Sequence, residues 1–411
     1  MSKTMKNIPK LRFPEFEKTP AWEEKAFGDA ATFYNGRAYK QEELLDSGKY
    51  RVLRVGNFFT NEHWYYSDLE LDENKYCNNG DLLYAWSASF APKIWTGEKV
   101  IYHYHIWKVA EHKDVNKKFL FILLDYETEK MKRQSANGLG LLHITKGTIE
   151  AWKCNFPNFK EQQKIAECLS SLDALILAHS GKVEALKAHK KALMQQLFPA
   201  EGETTPRLRF PEFFNTCEWK RHRLGDMLEM IVDNRGKTPP ITEYGIALIE
   251  ANALGNRDVD YNKITKFVSD DIYNDWFRKY LKNGDVLFST VGQTALCSIY
   301  NGNKKAAIAQ NIIGLRFFSF FNYQFMYYML TERQNYLKFK SIEMGAVQPS
   351  IKVSQMIDLF FLIPNESEQQ KIAECLSSLD ALISAQSSKV EALKQHKKAL
   401  MQQLFPQSED K

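Results

Sequence analysis

The chain repeats itself. Residues 161–199, EQQKIAECLSSLDALILAHSGKVEALKAHKKALMQQLFP, return at 368–406 as EQQKIAECLSSLDALISAQSSKVEALKQHKKALMQQLFP, with 35 identities in 39 positions at an offset of 207. A shorter motif precedes each long one. PKLRFPEF at 9–16 returns as PRLRFPEF at 206–213, followed by Trp22 and Trp219, then by Gly28-Asp29 and Gly225-Asp226, at an offset of 197. The blocks between the motifs, 22–158 and 219–365, match only weakly. Asn79-Gly80-Asp81-Leu82-Leu83-Tyr84 parallels Asn283-Gly284-Asp285-Val286-Leu287-Phe288, and His105-Ile106 parallels Asn311-Ile312. A solenoid needs several short units; two units of ~200 residues are a pseudo-twofold pair. Helices that merely stacked would give no reason for the blocks to diverge while the helices did not.

The long motif carries a heptad. Ile165, Leu169, Leu172, Ile176, His179, Val183, Leu186, Lys190, Leu193 and Leu197 step by four and three, as do Ile372, Leu376, Leu379, Ile383, Gln386, Val390, Leu393, Lys397, Leu400 and Leu404. Such a seam, sustained over more than four heptads, predicts a coiled coil. Asn158 and Asn365 stand three residues before Glu161 and Glu368, as in a capping box. Pro199 and Pro406 stop the helices. A twofold axis through the seam makes the two helices antiparallel partners, each spanning roughly 55 Å, with the blocks at opposite ends. The polar seam residues, His179 with Gln386 and Lys190 with Lys397, are expected to fix the register or to face another protein.

Composition bounds the rest. A length of 411 residues predicts two or three domains, and the balance of 44% hydrophobic to 26% charged residues predicts a soluble globular chain. The net charge of +5 permits a polyanionic partner without demanding one. No run reaches the ~18 apolar residues of a membrane span, and MSKTMKNIPKLRFPEF has no apolar signal core, so a cytoplasmic location without membrane contact is expected. The six cysteines are scattered with no CxxC pair, which predicts reduced thiols and no zinc site.

Each block mixes short β-type runs with one helix, near 116–133 and 322–340, and so predicts an α/β unit. Polar and basic loops lie between these elements. In the first block they offer Arg37, Tyr39, Lys40, Ser87, Ser89, His143 and Lys146; in the second, Arg235, Lys237, Thr238, Gln293, Thr294, Gln310, Asn311, Gln348, Ser350 and Lys352. Arg and Lys suit guanine and phosphate, Asn and Gln suit adenine, and Ser and Thr reach either. Any one such loop reads equally well as a solvated turn. As a duplicated set they favour contact with a polyanion.

No enzyme motif accompanies them. Gly236-Lys237-Thr238 has the tail of a P-loop, but the glycine required five residues earlier is Ile231. There is no NPPY-type or glycine-rich methyl-donor motif. His103 and His105 alternate on an expected strand without a third ligand, so no metal site is predicted. No nucleophile–base constellation stands out, and no catalytic residue is assigned.

With these motifs assembled, the chain resembles the specificity subunits of type I restriction–modification systems along essentially its whole length. The carriers are the paired EQQKIAECLSSLDALI helices, the LFP…LRFPEF junctions, GDLLYAWSASF and GDVLFSTVGQTA, RGKTPP, AQNIIGLRF and QPSIKVSQMIDLFFLIPNESEQQKIA. The resemblance implies two α/β target-recognition domains joined by two long antiparallel coiled-coil helices. The implied order is a junction segment (1–21), domain 1 (22–158), a central helix (159–199), a second junction (200–218), domain 2 (219–365) and a C-terminal helix (366–411). Each domain would read one half of a bipartite site on double-stranded DNA. The helices would set the spacing and dock two modification (methyltransferase) subunits, to which ATP-dependent restriction subunits add. S-adenosylmethionine, ATP and Mg2+ are then expected on the partner subunits, with no cofactor on this chain. An antiparallel pseudo-dimer matches half-sites related by a twofold axis across the duplex. The first block departs from the second at Asn35-Gly36-Arg37-Ala38, where the other has RGKTPP. Two other classes are weighed against this: a coiled-coil adaptor that binds proteins and no DNA, and a self-sufficient nuclease or methyltransferase, against which the missing motifs argue.

Overall fold

The structure, a computed structural model, describes residues 7–87, 89–136, 144–234 and 236–406. Two units form: residues 1–178 with 389–411, and residues 179–388. Each long helix, Phe159–Leu197 and Glu366–Leu404, is therefore divided between them.

The heptad seam packs as its spacing predicts. All ten seam positions of each helix are buried or half-buried, with Leu169 and Leu376 fully so. Within the second unit Gln386 bonds His179 and Lys190 pairs with Asp380 at 2.6 Å; within the first, Lys397 pairs with Asp173 at 2.6 Å. Ascending numbers on one helix meet descending numbers on the other, so the helices are antiparallel. The pairing of Lys190 with Lys397 is corrected: two like charges would repel, and each lysine instead finds an aspartate of the opposite helix.

Each unit holds a four-stranded antiparallel sheet in the same order. In the first it runs Ala31–Asn35, Ile106–Glu111, Leu82–Ser87, Ser89–Ile94; in the second, Leu228–Val232, Ile312–Phe317, Val286–Ser289, Cys297–Ile299. A second sheet accompanies each, of four strands in the first unit and three in the second. Tyr50–Leu53 pairs parallel with Val100–Tyr102, as Ile246–Ile249 does with Ala306–Ile308. The expected helix of the first block is Lys117–Ala136. That of the second is two helices, Tyr323–Thr331 and Arg333–Ser341. Glu332 breaks it: its backbone is extended, and its buried carboxylate caps the new helix by accepting from the Asn335 amide.

The copied motifs build the joints. In the first unit Arg12 clamps the buried Glu161 through Nε at 2.8 Å and Nη2 at 2.7 Å, and Trp22 donates its indole N–H to the same carboxylate. In the second, Arg209 holds Glu368 through both nitrogens at 2.8 Å, and Trp219 donates likewise. Only half of the expected capping box forms. Asn158 and Asn365 accept from the amides of Glu161 and Glu368, but the glutamates turn away to the arginines. At the other end of each long motif, Phe198 stacks on Phe325 and Phe405 on Tyr126, so that each LFP sequence closes a core.

Candidate nucleic-acid interface

The second unit brings four loop stretches together at the Ser289 end of its central strand. Thr290 donates its amide to the Asn311 carbonyl, Ile351 donates to Thr290, and Gly292 donates to Pro349, each at 2.8 Å. The Thr238 hydroxyl meets the Gln310 amide oxygen at 3.5 Å. Lys237, Thr238, Gln293, Gln310, Gln348 and Lys352 are exposed there, and Asn311 and Ser350 are half-buried. The RGKT loop is shaped by Asn234, which is buried. Its side chain accepts from the Gly236 amide and donates to the Lys237 carbonyl. Gly236 takes φ +67°, a turn conformation that favours glycine.

Thr294 has a different place from its neighbours. It is buried, and its hydroxyl is engaged by Glu343 and by Lys340. The Lys340 ammonium, then the Thr294 hydroxyl, holds the Glu343 carboxyl below the usual range. This triad anchors the 290–294 loop from beneath. Arg235 lies outside the described residues.

In the first unit the 37–40 loop folds onto the turn at 103–105. Gly36 permits this, because a Cβ there would stand 2.3 Å from the His103 carbonyl oxygen. Arg37 donates to Glu43 at 2.7 Å and lies over the Tyr39 ring, which stacks on His103. The Arg37 Nη1 and the Tyr39 hydroxyl are buried with no hydrogen-bond partner among the described residues. Burial pushes the Tyr39 phenol well up, so it stays protonated. Lys40 is exposed beside Glu42. Ser87 and Ser89, expected on a loop, instead belong to the paired strands Leu82–Ser87 and Ser89–Ile94 and are partners there. Lys146 opens the helix Lys146–Ala151 and lies 3.5 Å from Glu150. His143 lies outside the described residues.

Sequence reasoning missed the aromatic stack that runs from the core to this turn. Trp86 stacks on Trp107, which stacks on Tyr84; the Trp86 indole donates to the Tyr104 carbonyl at 2.8 Å, and Tyr104 is exposed. His103 and His105 lie in the turn between two strands rather than on one strand as expected. Burial, then His105 and Arg54, pushes the His103 pKa down to about 4, which leaves its imidazole neutral at pH 7. The sequence signal for it is the run of aromatic rings in His103-Tyr104-His105-Ile106-Trp107, a pattern that suits stacking as well as metal binding. No group of three metal-ligating side chains occurs among the described residues, and none of their helices is long and apolar enough to cross a membrane.

The family model described as the type I restriction modification DNA specificity domain matches the chain twice, over residues 20–188 and 217–395. The chain belongs to that family. Among curated proteins it is similar to the type I restriction enzyme MjaVIII specificity subunit of Methanocaldococcus jannaschii, 25% identical over 336 residues that cover 80% of this chain and 79% of that one. It is also similar to the putative MjaX specificity subunit of the same organism, 25% identical over 283 residues covering 64% and 60%. In fold it resembles the type I restriction–modification S subunit from M. genitalium, with a TM-score of 0.61, 14% identity and coverage of 98% and 100%. A chain solved in work on the assembly and conformational transition of the type I R-M system gives 0.54, with 16% identity and coverage of 93% and 97%. As a DNA specificity subunit, the chain is the non-catalytic, sequence-recognising part of its enzyme, and the adaptor alternative is not favoured.

Proposed function

We propose that each unit reads one half of a bipartite site on double-stranded DNA, and that the two long helices set the spacer and dock two modification subunits. Those subunits would hold S-adenosylmethionine, and restriction subunits would bring ATP and Mg2+. The observation that carries this reading is the convergence of four loops in the second unit with exposed lysine and amide side chains. Lys237 and Lys352 supply charge for phosphate, and Gln293, Gln310 and Gln348 supply the donor–acceptor pair that matches adenine. On the helices, Leu175 and Leu382 occupy the same position of the repeat, and both are exposed. A duplicated apolar site supports two equivalent docked subunits.

The test begins with methylome sequencing of a cell carrying the chain and its modification subunits, which defines both half-sites. Gln348→Ala, assayed in the assembled complex on single-base variants of that site, is expected to cost about 1–3 kcal/mol of discrimination at one half-site. Equal changes at both half-sites would show that the units do not divide the labour.

A further inference from the structure

We infer that Val347 reads the methyl group of a thymine in the major groove, next to the base that Gln348 addresses. The inference rests on the proposal that the second unit contacts DNA through its loop cluster.

Val347 is fully exposed. Scattered exposed apolar residues need no explanation, but this one stands at the apex of a hairpin whose base is fastened. Met344 and Ser350 exchange both backbone hydrogen bonds, at 2.9 and 2.8 Å. Pro349 accepts from Gly292 and Ile351 donates to Thr290, which fastens the hairpin base to the neighbouring candidate loop. Gly345 turns at φ +91°, where a Cβ would meet the Gln348 carbonyl oxygen at 2.7 Å, so the turn is closed against its own backbone. This tip holds two methyl groups in water.

The chemistry narrows what such a tip meets. Thymine carries the C5-methyl group, the apolar feature of base edges in the major groove, and apolar side chains contact it there. Gln348, adjacent and also exposed, has the bidentate donor–acceptor pair for adenine. One tip thus combines an adenine-type and a thymine-type contact. Valine is β-branched, with few rotamers, so its methyl groups are already placed before DNA arrives.

The experiment replaces each thymine of the site, one at a time, by deoxyuridine, which lacks only the methyl group. Affinity is measured on the complex with modification subunits, for the native chain and for Val347→Ala and Val347→Ile. The native chain is expected to lose about fourfold in affinity at one thymine of the half-site read by the second unit, which is the ~0.8 kcal/mol of one buried methyl group. Val347→Ala, with its shorter side chain, should show a clearly smaller difference between the thymine and deoxyuridine versions of that site, and Val347→Ile should keep the native preference. The inference is overturned if that half-site contains no thymine, if no replacement alters native binding, or if Val347→Ala retains the native preference. In each of those cases Gln348→Ala decides the wider reading. A half-site effect leaves it standing while the thymine contact falls, and no effect removes both.

Discussion

The two joints of the molecule are nearly the same object, and its two loop clusters are not. At the joints, Arg12–Glu161–Trp22 and Arg209–Glu368–Trp219 agree bond for bond, down to indole contacts of 3.2 and 3.3 Å. The glutamine that follows each glutamate also does the same work twice: Gln162 receives the Asn116 amide and Gln369 the Asn322 amide, at 2.9 and 3.0 Å. The loop clusters differ: one unit has a half-buried tyrosine–histidine–tryptophan cluster, the other exposed amides, lysines and a valine. A buried charge leaves no freedom to change one partner alone, whereas an exposed loop tip does. Duplication followed by drift therefore keeps the joint and varies the loop cluster, which the proposed reading of two different half-sites requires.

The largest expected effect falls on that shared joint. Arg209→Met leaves the Glu368 carboxylate, 1% exposed, without its cation. Removing one partner of a buried ion pair costs about 3–5 kcal/mol. Arg12→Met should cost the same, because Glu161 is equally buried. Urea unfolding followed by hydrogen exchange, read separately in each unit, checks both size and equality. A loss in one copy several times that in the other would break the equivalence of the joints.

A smaller effect should separate the units by pH. His103 is held neutral in the first unit, its pKa pushed down to about 4, against about 6.5 for an unfolded histidine. Between these values the unfolded chain binds more protons than the folded one, so this histidine's contribution to stability is complete above pH ~6.5 and is lost as pH falls toward 4. Asp125, pushed up by burial, works in the opposite direction in the same unit, so the comparison must be with a variant. His103→Gln should flatten the first unit's profile over that window and leave the second unit's unchanged, since the corresponding turn there carries Gln310 and Asn311. Identical profiles for variant and native chain would remove the histidine from the account.

Much of the architecture was legible because it is periodic or copied. The seam positions, the antiparallel pairing of His179 with Gln386 and the duplicated α/β units follow from spacing alone. What was not legible is contact between residues distant in sequence. Nothing in a list of seam positions shows that Lys190 and Lys397 each reach an aspartate, or that Glu161 prefers Arg12, 149 residues away, to its own helix end. The same limit applies to the interface. Loop composition picked out Lys237, Gln293 and Gln348, which the fold leaves exposed, together with Thr294, which it buries against Glu343. Burial depends on what packs underneath, and the residues beneath, Lys340 and Glu343, stand 46 and 49 residues further along the chain.

The smallest expected effect tests whether the loop cluster divides into residues that hold DNA and residues that read it. Lys237 is exposed at a turn whose shape is fixed by Asn234 and Gly236, so removing its side chain should leave the loop intact. Its ammonium can neutralise one phosphate, and each phosphate neutralised releases counterions. Lys237→Ala should then weaken binding to all sequences alike and reduce the slope of log affinity against log salt by about one. Base preference at both half-sites should stay as it was, in contrast to Gln348→Ala. Salt titration on the cognate site and on an unrelated duplex makes the measurement. If Lys237→Ala changes base preference and leaves the salt slope alone, this lysine addresses a base edge, and the boundary between holding and reading runs elsewhere in the cluster.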